Sequence, residues 1–256
     1  MGRPGRKQDR LEVGLDVLDS PGSLDLAGIA AGISDGITPE HSYLSAVPFG
    51  HRRRYAQFFT PVKIARLMAE WALAESTCTL LDPAIGMGVL VRAALARKPD
   101  LRVTAFEKDP TILRAYLSTQ PDLNKIEVIF GDFLTLDVLS RFDAVIMNPP
   151  YLRHHDLSYE FDIFGQFSHR YGVDISKLSN SYLLFTLKAA TLLKPGGRAS
   201  IIIPTEWMNA NFGAAMKSFL IKRNLLREVI YFSNCSEIFD DALTTACILL
   251  IEKPLL

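Results

Sequence analysis

Four apolar runs in the middle of the chain each stop on a residue with ligand chemistry, and helical patterns fill the gaps between them. Leu80-Leu81 ends at Asp82, and Val103-Thr104-Ala105-Phe106 ends at Glu107. Ile126-Glu127-Val128-Ile129-Phe130 runs into Gly131-Asp132-Phe133, and Phe142-Asp143-Ala144-Val145-Ile146-Met147 runs into Asn148. Short runs of this kind separated by helices predict βαβ units and a parallel sheet. Ligands of open α/β sheets bind at the carboxyl ends of the strands. The pattern therefore predicts an α/β domain with one site along that edge.

The sharpest of the four ends is Asn148-Pro149-Pro150-Tyr151. Proline fixes its own φ and holds the residue before it extended, so the carbonyls of Asn148 and Pro149 stay out of a helix. One amide side chain, one rigid carbonyl and one aromatic face suit a planar group gripped by its exocyclic amine. The alternative is a strand-ending turn, because Asn-Pro is ordinary turn punctuation.

Upstream, Asp82-Pro83-Ala84-Ile85-Gly86-Met87-Gly88 leads into the helical run Val89-Leu90-Val91-Arg92-Ala93-Ala94-Leu95. Gly86 and Gly88 are expected to let the backbone approach a ligand. Asp82 favours a cationic group such as an α-amine and argues against a pyrophosphate. Glu107 lies about 20 residues past the glycines, the distance at which an acid binds ribose hydroxyls in dinucleotide-type units. Asp132 can accept from an adenine amino group, with Phe133 against the ring. Thr60-Pro61 reads as a helix start, threonine capping and proline in the first turn. Ile64, Leu67, Met68 and Trp71 follow at helical spacing, which predicts a buried face.

Taken together, these residues resemble the gamma-class, TaqI-like N6-adenine DNA methyltransferases of restriction–modification systems. The resemblance covers residues 53–253. It begins at Gln57-Phe58-Phe59-Thr60-Pro61, continues through the glycine turn with Ile85 and Met87 in place of the usual Cys and Ser, and includes Glu107, Gly131-Asp132-Phe133 and Asn148 to Tyr151. Asn180-Ser181-Tyr182-Leu183-Leu184-Phe185 and Lys194-Pro195-Gly196-Gly197-Arg198 follow in the family's order.

The resemblance implies a Rossmann-like methyltransferase fold: a seven-stranded, mostly parallel sheet with an antiparallel last strand and helices on both faces. It implies S-adenosyl-L-methionine as cofactor and an adenine in double-stranded DNA as acceptor. Asp82 would face the methionine amino group and Thr60 its carboxylate, beside the turn residues Ala84, Gly86 and Gly88. Glu107 would bind the ribose, Asp132 the cofactor's adenine amine, and Phe133 its ring. Asn148, Pro149, Pro150 and Tyr151 would hold the target amine, with Tyr151 stacked on that base and Phe212 on its opposite face. No metal is implied. A restriction endonuclease is a possible partner.

Residues 1–50 read as a partly ordered arm and residues 51–256 as the catalytic domain. TaqI-like enzymes carry a target-recognition domain that is absent from this chain, so recognition is expected in a missing domain or a separate subunit. Lys and Arg total 28 and Asp and Glu also 28, without the basic excess of a self-sufficient DNA binder. Three cysteines, Cys78, Cys235 and Cys247, form neither metal spacing nor a disulfide framework, and His154-His155 lacks a partnering acid or cysteine. With no signal peptide and no run long enough to cross a membrane, a cytoplasmic protein is expected. His51-Arg52-Arg53-Arg54 could meet a phosphate backbone or be a solvated face.

Residues 151–177 interleave Tyr159, Phe161, Phe164, Phe167 and Tyr171 with Arg153, His154, His155, His169 and Arg170. Such a segment can stack on bases and track phosphates, or form an apolar flap; it is expected to be mobile without DNA. Two rival functions remain at this stage. One is methylation of a protein glutamine or an RNA base, and the other is a non-catalytic, DNA-clamping assembly subunit.

Overall fold

The computed structural model describes residues 38–119, 125–232 and 245–255. Residues 1–37 of the arm and Cys235 lie outside the described residues. Helices α1 (Pro39–Ala46), α2 (Phe49–Arg54) and α3 (Val62–Ala72) precede the first strand. Then follow β1 (Thr79–Asp82), α4 (Val89–Arg97), β2 (Arg102–Glu107), α5 (Pro110–Thr119), β3 (Ile126–Phe130) and β4 (Phe142–Met147). The second half holds α6 (Ile163–Tyr171), α7 (Ser181–Thr191), β5 (Leu193–Pro204), α8 (Ala214–Lys222), β6 (Leu226–Tyr231) and β7 (Ala246–Glu252).

The strands form one seven-stranded sheet in the order β3-β2-β1-β4-β5-β7-β6. Every pairing from β3 across to β5 is parallel, while β7 lies antiparallel between β5 and β6. The expected antiparallel last strand is present. Because β1 to β4 run the same way, Asp82, Glu107, Asp132 and Asn148 come to one edge in the spatial order Asp132, Glu107, Asp82, Asn148.

Helices cover both faces, so the central strands are apolar throughout instead of alternating. On one face Leu81, Val145, Met147, Ile201, Ile203 and Leu249 pack with residues of α6, α7 and α8. On the other, Leu80, Ala144, Ile146, Ile202, Ile248 and Leu250 pack with α3, α4 and Tyr116 of α5. Residues one apart in the strands thus go to opposite cores, as a pleat requires.

Lys194-Pro195-Gly196-Gly197 has the proline and paired glycines of a turn. It is instead part of a 12-residue β5. Phe142 pairs with Leu193 but Ala144 pairs with Arg198, so the turn is taken up as a register shift against β4. Asp143 sits at that irregularity and ties it down. It accepts from Lys194 Nζ at 2.7 Å and from Thr79 N at 2.9 Å.

Residues 38–50, counted above with the N-terminal arm, pack onto the domain. Tyr43 is fully buried and joins Val47, Met87, Ile112 and Ala115 in a third, smaller core. Glu40 pairs with Arg92 of α4, and Tyr43 donates to Gln57 at 2.9 Å.

Helix α3 departs from expectation at two residues. Thr60 does not cap it: Pro61 occupies the cap position, and no side chain bonds the first turn. Leu67 is 43% exposed, and the buried face is Ile64, Ala65, Met68, Ala69 and Ala72. At position 67 the helix turns its side chain past the sheet.

Candidate active site

The carboxyl edge of the sheet opens onto two cavities that share a wall. The first lies over β1, β2 and β3 and is lined by Thr60, Ala84, Gly86, Glu107, Asp132 and Phe133, among others. The second is a wide cleft of about 1020 Å³ beside the end of β4, lined by Asn148 and Tyr151 and by residues of α1 and α2. A strap of residues 56–60 borders both, and so does Asn148. The strap opens at Ala56, whose φ of 50° is unusual for a residue with a β-carbon.

In the first cavity the carboxylates have no ion-pair partner among the described residues, with one exception, Asp132. Asp82 is fully buried just behind the wall formed by Pro83 and Ala84. Its Oδ1 accepts from Ala84 N at 3.1 Å, while Oδ2 has no partner among the described residues. Burial pushes its carboxyl up to about 7, against the opposing pull of the Ala84 N–H. Glu107 accepts from Gly86 N at 3.0 Å and from Lys108 N and Asp109 N at 2.9 Å each. Burial outweighs those three bonds and lifts it to about 7 as well.

The two glycines divide their work. Gly86 (φ 54°) lines the cavity, as expected. Gly88 (φ 79°) does not line it: a β-carbon there would come within 2.4 Å of the Tyr116 ring. Gly88 is a packing glycine that lets α5 close on the start of α4.

Asp132 is engaged on both oxygens. Oδ1 accepts from Leu134 N at 2.9 Å, and Oδ2 from Lys108 Nζ at 2.7 Å and Tyr159 Oη at 2.8 Å. Phe133 turns into the core at 1% exposure, between Phe106 and Phe185. The sequence reading missed Lys108, Tyr159 and the buried Lys188. The Lys188 ammonium donates to the carbonyls of Phe133, Leu134 and Leu136 and so fixes the loop that carries Asp132. Burial lowers that amine to about 8. A lysine within an otherwise apolar helix was the available signal.

At the junction, Asn148 Nδ2 donates to Phe58 O at 2.9 Å and to Thr60 Oγ1 at 3.1 Å. Both amide hydrogens are thereby consumed, which fixes the flip and leaves Oδ1 as the acceptor end. Oδ1 accepts from Tyr151 Oη at 2.7 Å. The loop after Asn148 is clipped to the start of α7 by Ser181, whose hydroxyl bonds Pro150 O and accepts from Leu152 N at 3.0 Å. Pro150 lines the first cavity.

Of the predicted aromatic pair, Tyr151 lines the cleft and Phe212 does not; Phe212 packs against the main core. The ring facing Tyr151 is Phe58, with centroids 6.2 Å apart and planes 16° from parallel. The segment read as either a nucleic-acid tracker or an apolar flap divides, with Leu157 and Tyr159 lining the first cavity. Phe164, Phe167 and Tyr171 are buried in the core, and Phe161 is exposed. Among the described residues there is no metal-binding cluster, and no helix is long and apolar enough to cross a membrane.

Known proteins resemble this chain in sequence and in fold. The chain is 36% identical over 212 residues to the type II methyltransferase M.AccI of Acinetobacter calcoaceticus, covering 82% of this chain and 39% of that protein. It is 34% identical over 182 residues to the type II methyltransferase M.XamI of Xanthomonas campestris pv. amaranthicola, covering 68% and 34%. The chain thus spans well under half the length of these curated relatives. The methyltransferase subunit of a type I restriction–modification system from Streptococcus thermophilus shares the fold, with a TM-score of 0.67 at 21% identity, over 93% of this chain and 52% of that one. The fold is that of class I S-adenosylmethionine-dependent methyltransferases, and fold and family imply that cofactor. Residues 103–239 match the family described as Eco57I restriction-modification methylase, and the chain belongs to that family.

Proposed function

We propose that this chain transfers a methyl group from S-adenosylmethionine to the N6 amine of an adenine turned out of double-stranded DNA. The observation that carries this reading is the position of Asn148 in the walls of both cavities. A donor bound over β1 to β3 and an acceptor in the cleft would meet at its amide.

The first cavity suits the cofactor. Asp82 Oδ2 is a buried acceptor without a donor, and Asp82 and Glu107 form an acidic patch that a cationic ligand relieves. Asp82 and Thr60 would hold its amino acid end, and Ala84 and Gly86 its middle. Glu107 would take the ribose hydroxyls and Asp132 the adenine amine. When bound, the cofactor supplies an activated methyl group that needs no metal.

The acceptor side follows from what an aryl amine lacks, since its lone pair is delocalised into the ring. Asn148 Oδ1 and the carbonyl of Pro149, a residue buried behind the cavity walls, would accept its N–H bonds and favour a pyramidal nitrogen with a localised lone pair. Acceptors held in place by the two prolines and by Ser181 stabilise the developing charge without reorganising. Tyr151 and Phe58 supply the stacking faces for the extruded base, which offsets part of the unstacking cost of a few kcal/mol. The rings must part from their 6.2 Å centroid separation to admit a base between them.

The test is transfer from labelled S-adenosylmethionine to unmodified duplex DNA, with nucleosides resolved by mass spectrometry. N6-methyladenine is the expected product. Methylcytosine, or label only in protein or RNA, would overturn the reading.

A further inference from the structure

The wide cleft is cationic at its rim although the chain as a whole is neutral. Arg53 and Arg54 from α2 and Arg153 from the loop after β4 all line it, and all three are exposed. Among the described residues none of them is paired with a carboxylate. Of the acids on the same lining, Glu40 is taken by Arg92, while Asp156, 3.5 Å from His155, and Glu206 remain, so the three arginines outnumber the remaining acids by one. Below the rim lie Phe58 and Tyr151, the two nearly parallel rings.

Planar faces inside a cleft with guanidinium forks at its mouth match the chemistry of a nucleotide strand: rings to stack, and phosphates to hold by paired N–H bonds. We infer that Arg53, Arg54 and Arg153 bind the phosphodiesters flanking the base that enters the cleft, so that part of the grip on DNA comes from α2, ahead of the sheet. The inference rests on the reading of Asn148 as the transfer point. It also explains how a neutral chain can hold a polyanion: the positive charge is placed at the one mouth where it is used.

The experiment is anisotropy of a labelled single-stranded oligodeoxynucleotide titrated with the protein between 50 and 200 mM NaCl. The variant Arg53→Gln/Arg54→Gln/Arg153→Gln should bind roughly tenfold or more weakly at the lower salt, and its salt slope should shrink by about 2, at about 0.7 for each phosphate no longer neutralised. The control Arg66→Gln/Arg102→Gln/Arg227→Gln, exposed arginines outside the cleft, should match the unsubstituted protein. Calorimetric binding of S-adenosylmethionine should be unchanged in both, which shows that the variants are folded. An unchanged slope in the rim variant, or an equal loss in the control, overturns the phosphate site even where methyl transfer is observed. Rim-dependent binding without methyl transfer to adenine leaves the site standing and overturns the reaction. Tighter rim-dependent binding of the matching RNA overturns the choice of DNA.

Discussion

The dipeptide Thr-Pro occurs ahead of two helices, at Thr38-Pro39 and at Thr60-Pro61, and the two do different things. Thr38 caps α1: its side chain accepts from His41 N at 3.3 Å, and Pro39 takes the first turn. Thr60 leaves α3 uncapped and takes a hydrogen bond from Asn148. The first threonine serves the backbone, while the second has been drawn off by the site. An unsatisfied helix start is tolerated where the hydroxyl has a partner of greater use, and such a local departure from propensity marks function.

Asn148→Ala should break this contrast most severely, removing the partner for which Thr60 gave up its cap. Methyl transfer should fall about 100-fold or more, with cofactor affinity close to normal by calorimetry. A weakened cofactor affinity would move Asn148 into the cofactor's own shell.

The acidic patch that Thr60 overlooks should give the next largest effect. Asp82 and Glu107 sit at about 7 in the folded chain, against about 4 when unfolded. The folded chain therefore keeps protons that the unfolded chain has released. This stability is fully present below about pH 4 and is lost as pH rises through about 7, at up to a few kcal/mol. Without cofactor, Tm should decline from pH 5 to 8 in a thermal melt, and saturating S-adenosylmethionine should flatten the decline. A flat profile without cofactor would mean that the carboxylates are already compensated.

Direct substitution of the two threonines sharpens the comparison. Thr38→Ala should cost about 1 kcal/mol in urea unfolding and leave turnover alone. Thr60→Ala should cost about 1–3 kcal/mol in unfolding, since it removes a buried acceptor of the Asn148 amide, and should in addition slow turnover roughly tenfold, about 1.4 kcal/mol in the barrier. Unchanged turnover would show that both threonines are structural.

The smallest effect belongs to Leu67→Ala on the outer side of α3, expected within about 0.5 kcal/mol. Met68→Ala, one residue on and fully buried, should cost roughly 2–5 kcal/mol.

The sheet was legible because its signal is redundant. Four apolar runs and four polar ends agree, and strands that run the same way bring their ends to one edge, although the order along that edge is set by the sheet topology. Glu107, Asp132 and Asn148 could be located from that alone. What failed did so where two structures share one local pattern. Gly88 and Gly86 look alike in sequence, yet one makes room for Tyr116 and the other faces the cavity. Phe164, Phe167 and Tyr171 are spaced as a stacking platform could be, but helical spacing of aromatics is also how α6 enters a core. Phe212 was chosen by its place in the chain, whereas Phe58 comes opposite Tyr151 through packing that no local pattern encodes. For Lys188 the apolar helix around it signals a buried amine, but not its three carbonyl partners, which lie more than 50 residues upstream.

The strap at residues 56–60 makes the two cavities neighbours with a common party wall. A ring entering beside Phe58 must shift the same few residues that border the donor's chamber through Phe59 and Thr60. On the proposed function, any coupling that this wall transmits between donor and acceptor is reciprocal, by the same factor in both directions, so the two affinities would not be tuned independently.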